Sequence, residues 1–167
     1  MRPRLDRLDN GTVVRQSAIG GIITGLSFAL FQMVAAAANG ESAFAPLRLI
    51  AAIAAGPEAL APDYPLASAV GIGLSVHLVL SMLFGLLFGV GMVVVPAFEF
   101  NATSVILVAA LYGFLLWIVN FNLIAPGTFP WFDATDAALQ IIAHTIFYGA
   151  ALGFYLSLVL PVRHEVV

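Results

Sequence analysis

Residues 66–95, LASAVGIGLSVHLVLSMLFGLLFGVGMVVV, decide the fold, because this stretch contains no Asp, Glu, Lys or Arg. An α-helix rises about 1.5 Å per residue, so about 20 apolar residues cross the roughly 30 Å hydrocarbon core of a bilayer. The stretch therefore predicts a transmembrane helix that ends before Pro96. Its length favours a helix that is tilted or that extends beyond the bilayer.

Three further uncharged stretches are long enough to cross a membrane, at residues 17–38, 103–124 and 137–160. The first is longer than the apolar core of a usual signal peptide, so we interpret it as a true span. Between the first two spans, the apolar segment from Pro46 to Pro57 is too short to cross and is predicted to be an interfacial helix. The Arg48 side chain is expected to extend from it to water. The predicted fold is an all-α bundle of four transmembrane helices, over residues 17–162, with one short interfacial helix.

The composition excludes several classes of protein. Apolar residues make up 62% of the chain and charged residues only 9%, whereas about a quarter of the residues in a soluble domain are charged. The net charge of −3 lacks the basic excess of a nucleic-acid-binding protein, so no nucleic acid is expected as a partner. The absence of cysteine excludes disulfides, iron–sulfur clusters and thiolate zinc sites. The lipid bilayer is the predicted surrounding medium.

The arginines indicate the orientation. Four of the six basic residues lie in the N-terminal arm, residues 1–16, and Arg163 lies in the tail, residues 163–167, while Arg48 is the only basic residue between spans. Cytoplasmic segments of membrane proteins carry the excess of basic residues. The sequence therefore predicts a multi-pass protein of the inner (plasma) membrane with both termini in the cytoplasm.

Small residues recur at four-residue intervals in three of the four spans. Without a hydrophobic driving force in lipid, helices associate where small residues allow their backbones to approach closely. The glycines predicted to form such contacts are Gly21, Gly25, Gly85, Gly89, Gly149 and Gly153. Three rows of this kind together favour a compact bundle.

Polar side chains within the spans are the candidate functional residues, because they are costly in lipid. Only His77 and His144 are ionisable. His77 shares a helix row with Ser81 and Gly85 and is expected to face the bundle, whereas His144 lies about 140° from Gly149 on an ideal helix. The remaining predicted interior contacts are Gln32, Ser81, Asn120, Asn122 and Tyr148.

Two interpretations of the histidines remain open. In the first, each imidazole hydrogen-bonds to a neighbouring helix and only stabilises the bundle. In the second, His77 and His144 are the axial ligands of a haem b, as in other four-helix bundles, or help to bind a pigment or quinone. No metal site is predicted, because the spans supply no third histidine and no carboxylate for zinc. We expect no cofactor under the first interpretation.

Several short motifs resemble those of a known family. Ala55-Gly56-Pro57 ends the loop helix, His77 precedes Phe84-Gly85 in the second span, and the last span contains HTIFYG (144–149) and LGFY (152–155). With a first helix rich in Gly and Ala, this order is similar to that of uncharacterised bacterial four-helix membrane proteins of the domain-of-unknown-function type. The resemblance covers about residues 17–158 and leaves out the N-terminal arm and the loop after Asn122. It implies the fold and no activity.

Three functions are compatible with the sequence. No nucleophile elbow, phosphate loop, metalloprotease motif or pair of carboxylates within a span is present, so the protein is not expected to be an enzyme. We expect an accessory or scaffold subunit, associated with other membrane protein subunits or with itself. The alternative is a redox subunit that binds haem b, a pigment or a quinone. A small-solute transporter fits less well, because the spans contain no charged residue to line a pore.

Overall fold

A computed structural model of the protein describes residues 9–95 and 101–161. Within these residues the chain forms helices α1 (Asn10–Ala38), α2 (Ala45–Ala55), α3 (Leu66–Val94), α4 (Ala102–Thr128) and α5 (Ala137–Val159), and no β-strand. Short 3₁₀ turns follow α2 at Pro57–Leu60 and precede α5 at Pro130–Ala134. All helices except α2 are long and apolar enough to span a membrane. The predicted all-α bundle with one short helix between the first two spans is confirmed.

Helix α1 begins earlier than the predicted span. It starts at Asn10 rather than Ser17, because the Asp9 carboxylate caps it by accepting a hydrogen bond from the Gly11 amide at 3.3 Å. The second part of the predicted N-terminal arm, residues 10–16, is therefore helical. The rest of the arm, residues 1–8, and the predicted tail, residues 163–167, lie outside the described residues.

The third and fourth spans contain π-helical turns. In α4 the backbone changes from α to π at Val119–Ile124, and α4 then continues to Thr128, beyond the predicted end at residue 124. In α5 the π segment covers Ala143–Ala150. Each π turn holds one more residue than an α turn, so it changes which side chains share a face.

Helices α1 and α3 cross in direct backbone contact. A Cβ atom added to Gly85 would lie 2.8 Å from the Gly21 Cα and would clash with the carbonyl oxygen of Ser17. A Cβ atom on Gly25 or Gly89 would meet the side chains of Ser81 and Ser17, respectively, at 2.5 to 2.7 Å. Glycine is required here because any side chain would separate the two helices.

Helices α4 and α5 cross in the same way. A Cβ atom on Gly113 would lie 3.0 Å from the Gly149 Cα and would clash with the carbonyl oxygen of His144. A Cβ atom on Gly153 would lie 2.6 Å from the Ile106 Cα. The bundle thus consists of two helix pairs, α1–α3 and α4–α5, each of which is in close contact at glycines where its two helices cross. Helix α1 also packs against α5. The end that holds Asn10 and Val159 is called the N/C end, and the opposite end is the α2 end.

Helix α2 packs on α3 at the α2 end, where Gly73 leaves room for the carbonyl oxygen of Leu47. The expectation that Arg48 extends to water is wrong. Its guanidinium donates hydrogen bonds to the carbonyl oxygens of Ala59 and Ala61, both at 3.1 Å, and of Tyr64 at 3.0 Å. The Ala61 carbonyl oxygen also accepts from the Tyr64 amide at 3.1 Å. The planar guanidinium has five N–H groups, so it can bind several carbonyl oxygens of the connection after α2 together.

Candidate functional site

His77 lies at the crossing of α1 and α3. Its Nε2 atom is 2.8 Å from the carbonyl oxygen of Gly25, and only 8% of the residue is exposed. The close approach of the helices at Gly21 and Gly25 brings this α1 carbonyl within reach of an α3 side chain. Because a carbonyl only accepts, Nε2 carries the proton of the neutral imidazole and Nδ1 keeps the lone pair.

His144 also faces the interior of the bundle and is 8% exposed. It lies in the π segment of α5, where hydrogen bonds between residues i and i+5 bring His144 and Gly149 onto adjacent turns of one face. The rotation of about 140° expected for an ideal α-helix therefore does not apply. Its Nδ1 atom donates to the carbonyl oxygen of Gln140 at 2.8 Å, so its lone pair is on Nε2.

The Phe28 ring from α1 lies next to both imidazoles. Its centroid is 5.1 Å from that of His77 and 4.8 Å from that of His144, which it meets edge to face. The Phe121 ring from α4 also meets the His144 imidazole edge to face, with centroids 5.6 Å apart. The histidine cluster, defined here as Phe28, His77, Phe121 and His144, thus joins all four long helices.

The histidine cluster does not fit a bis-histidine haem as it is packed. Axial ligation places a porphyrin between two imidazoles that each direct a lone pair at the iron. Phe28 contacts both imidazoles, so a porphyrin could lie between them only after that ring had moved. Across residues 9–95 and 101–161, no group of three or more His, Cys, Asp or Glu side chains is arranged to hold a metal ion.

Two of the predicted polar residues join helices from different pairs. Gln32 of α1 donates from Nε2 to the Oε1 atom of Gln140 of α5 at 2.9 Å. The Tyr148 hydroxyl of α5 donates to the carbonyl oxygen of Ser81 of α3 at 2.6 Å. Both contacts satisfy polar groups that would be costly to leave unpaired in lipid.

The two asparagines of α4 take less part in the interior than expected. Asn120 is half-buried, and Asn122 is exposed, so the prediction of an interior contact for Asn122 is wrong. Both residues lie in the π segment Val119–Ile124, whose wider turn changes the direction of each side chain from that of an ideal α-helix.

Sequence reasoning missed other residues that join the pairs. The Tyr112 hydroxyl of α4 donates to the carbonyl oxygen of Phe84 of α3 at 2.8 Å, and the Tyr155 hydroxyl of α5 donates to Gln16 of α1 at 2.9 Å. A tyrosine in a span is a usable signal, because its hydroxyl needs a partner when it is buried. The partner itself cannot be read from the sequence.

An apolar groove of about 250 Å³ lies between α3 and α4 near the N/C end. This α3/α4 groove is lined by Leu87, Gly91 and Val95 of α3 and by Val105, Val108 and Leu111 of α4, among others. Phe88 and Tyr112, whose ring centroids are 5.2 Å apart, also line it. The groove offers contact to an apolar group and supplies no catalytic side chain.

No protein-family model matches the chain, and comparisons with curated proteins and with solved structures give no match either.

Proposed function

We propose that this chain is a small, non-enzymatic integral membrane protein that serves as an accessory or scaffold subunit of a larger membrane complex. The observation that carries the proposal is the contrast between its interior and its surface. The side chains best suited to bind a ligand are hydrogen-bonded to each other or to backbone within the bundle, whereas the surface of the long helices is apolar. Such a surface can associate with lipid and with other transmembrane helices.

Most of the candidate polar side chains in the interior already form hydrogen bonds within the chain. His77, His144 and Gln32 each have a hydrogen-bond partner at 2.8 to 2.9 Å within the chain. Tyr112 and Tyr148 donate to backbone carbonyl oxygens. A ligand that used Gln32, Tyr112 or Tyr148 would have to replace an existing hydrogen bond, and this supports a stabilising role for these three residues. Each histidine keeps one ring nitrogen with a lone pair, and the Phe28 ring packs against both imidazoles.

The outward face of α4 supplies a surface for contact with another helix. Leu107, Leu111 and Leu115 lie four residues apart on one side of α4 and are 63%, 56% and 48% exposed. This row runs beside the α3/α4 groove, which Leu111 and Leu115 also line. A leucine ridge next to a groove suits the packing of side chains from a neighbouring transmembrane helix.

The proposed location is the inner membrane, with both termini in the cytoplasm. The N-terminal arginines and Arg163 support this orientation, since basic residues accumulate on the cytoplasmic side. The start of α1 and the end of α5 lie at the same end of the bundle, where Gln16 and Tyr155 are hydrogen-bonded. The proposed partners are lipid and other membrane subunits, or a second copy of the chain.

Site-specific photocrosslinking in cell membranes tests the proposal. A photoreactive amino acid replaces Leu111, and the control replaces Leu30 of α1, which is similarly exposed at 63%. We expect a discrete protein adduct from position 111 that is weaker or absent from position 30. An adduct of twice the chain's mass indicates self-association, and a different mass indicates another subunit. Lipid adducts alone at both positions would contradict the proposal.

Purification in mild detergent distinguishes the alternative functions. A Soret band that is lost in His77→Ala would replace the proposal with haem binding, and another visible chromophore would replace it with pigment binding. Solute flux into liposomes above that of empty liposomes would replace it with transport. A colourless, folded protein that retains partner subunits supports the accessory role.

A further inference from the structure

Asn122 is a polar side chain on the outer surface of α4. It is exposed, and its amide makes no hydrogen bond within the part of the chain that the structure describes. Ser75, an exposed polar side chain of α3, differs because its hydroxyl donates to the carbonyl oxygen of Gly71 in the same helix at 2.8 Å. Asn122 therefore lacks the partner that a polar group surrounded by lipid requires.

The contacts of the neighbouring residue place Asn122 at the depth of the hydrocarbon core. Phe121 contacts His144, which also contacts Phe28 of α1. Phe28 lies about 15 Å before the end of α1 at Ala38. The 29 residues of α1 are about 44 Å long, so a centred hydrocarbon core of about 30 Å leaves only about 7 Å of the helix at each end. Asn122 thus lies among lipid tails.

The segments outside the described residues are too short to reach this depth. Residues 1–8, 96–100 and 162–167 all join the bundle at the N/C end. From Asn101 to Asn122, α4 covers about 30 Å towards the α2 end. Even eight fully extended residues span at most about 29 Å. The Asn122 amide is therefore free to bind a second molecule.

The amide of one asparagine is complementary to that of another. Its NH₂ group donates and its carbonyl oxygen accepts, so two facing amides form two hydrogen bonds and satisfy each other. Copies of one chain insert in the same orientation, because the same basic residues direct each of them. A twofold axis along the membrane normal then places Asn122 of both copies at the same depth. A different protein would need a polar side chain at that depth, whereas a second copy supplies one by symmetry.

We propose that the chain forms a homodimer through the outward face of α4, in which the two Asn122 amides hydrogen-bond to each other. The proposal rests on the proposed function, because it uses the same face of α4 and names a second copy of the chain as the partner. Val119 and Leu123, which are 40% and 71% exposed, extend the leucine row beyond Leu115 and pack around the amide pair. The amide pair fixes the register of the two helices, as a single asparagine does in a coiled coil.

Disulfide crosslinking of the full-length chain in cell membranes tests the homodimer. The chain has no cysteine, so Val119→Cys and Leu123→Cys each introduce the only thiol, next to Asn122. Near a twofold axis, such a thiol meets its own copy, and oxidation joins the two chains. The control is Leu30→Cys on α1, at a residue that is 63% exposed. We expect a disulfide-linked dimer from at least one α4 position and little or none from position 30.

Two matched substitutions isolate the amide. Asn122→Leu removes it, and Ser75→Leu replaces an exposed polar side chain that is bonded within its own helix. In sedimentation equilibrium of the purified chain in detergent, Asn122→Leu should lower the dimerisation constant about tenfold, since two interhelical hydrogen bonds are lost. Ser75→Leu should leave it unchanged. Both side chains are exposed, so neither substitution disturbs the interior of the bundle.

The homodimer is overturned if both α4 cysteines crosslink no more than Leu30→Cys, or if Asn122→Leu dimerises as well as Ser75→Leu. An adduct of another subunit's mass at Leu111, without a disulfide-linked dimer, would overturn the homodimer alone and leave the accessory role intact. Lipid adducts alone at Leu111 would contradict the accessory role, so the two proposals fail on different results.

Discussion

The substitution Gly85→Ala is expected to weaken the contact between α1 and α3. Its new methyl group would lie 2.8 Å from the Gly21 Cα and closer still to the Ser17 carbonyl oxygen, whereas ordinary contacts begin at 3.4 Å. Because both obstacles are backbone atoms, the helices must separate. Overpacking of this kind costs about 1–3 kcal/mol, and the higher helix propensity of alanine offsets up to about 1 kcal/mol of it.

After this offset, the net expectation is a loss of about 0–2 kcal/mol in the free energy of unfolding, and a difference of about 1–3 kcal/mol from a glycine-to-alanine change that causes no clash. The matched controls are Gly71→Ala and Gly91→Ala in the same helix, where a Cβ atom would meet no heavy atom of the described part of the chain within 4 Å. These two substitutions gain the same helix propensity from alanine and introduce no clash, so they should leave the free energy of unfolding unchanged or raise it slightly.

Reversible unfolding in mixed dodecylmaltoside and SDS micelles, with the folded fraction measured by pulse proteolysis, gives the required free energies. The reasoning is refuted if Gly85→Ala unfolds at the same SDS fraction as Gly71→Ala. That result would mean that the two backbones are not in contact at this crossing.

The same assay checks the first two of three further expectations, and limited proteolysis of the folded protein checks the third. Ser17→Ala should stabilise the protein by up to about 1–3 kcal/mol, because the buried Ser17 hydroxyl has no hydrogen-bond partner within residues 9–95 and 101–161, and a loss of stability would contradict this. A double-mutant cycle of Gln32→Leu and Gln140→Leu measures the interaction free energy of the two side chains. We expect a value near the average of about 0.6 kcal/mol for hydrogen bonds between transmembrane helices, and not above about 1.7 kcal/mol. Additive effects of the two substitutions would contradict the hydrogen bond. Trp131→Phe keeps an aromatic ring but loses the bond to the Leu49 carbonyl, so protease should cut the connection around α2 faster, and an unchanged rate would refute this link.

The histidines show how far sequence reasoning extends into the candidate site. His77 lies in a regular α-helix, so its row with Ser81 and Gly85 predicts the face that the structure buries. His144 lies in a π segment, for which the local sequence gives no clear signal, and an ideal helix therefore misplaces it relative to Gly149. Phe28, which contacts both imidazoles, could not be found because it belongs to a third helix.

Arg48 shows the same limit outside the spans. Its charge and the short apolar helix around it predict that the side chain reaches water, as it would at a simple interface. The guanidinium instead binds three backbone carbonyl groups of the segment that follows α2. Whether those carbonyl groups lie within reach of the guanidinium depends on the path of the loop, which residue types do not specify.

The sequence by itself determined the number and approximate limits of the long helices. A charged side chain is very costly in hydrocarbon, so a stretch of about 20 or more uncharged, apolar residues indicates a span, whatever the helix packs against. It also predicted six of the glycines that allow close contact, since spacing along one helix depends on that helix alone, but it did not identify Gly113 or Gly73. Only the tertiary structure decided that α1 crosses α3, that α4 crosses α5, and that a groove lies between the pairs. In lipid all apolar helix faces are nearly equivalent, so the choice of partner depends on the detailed fit of two surfaces, which a single helix does not encode.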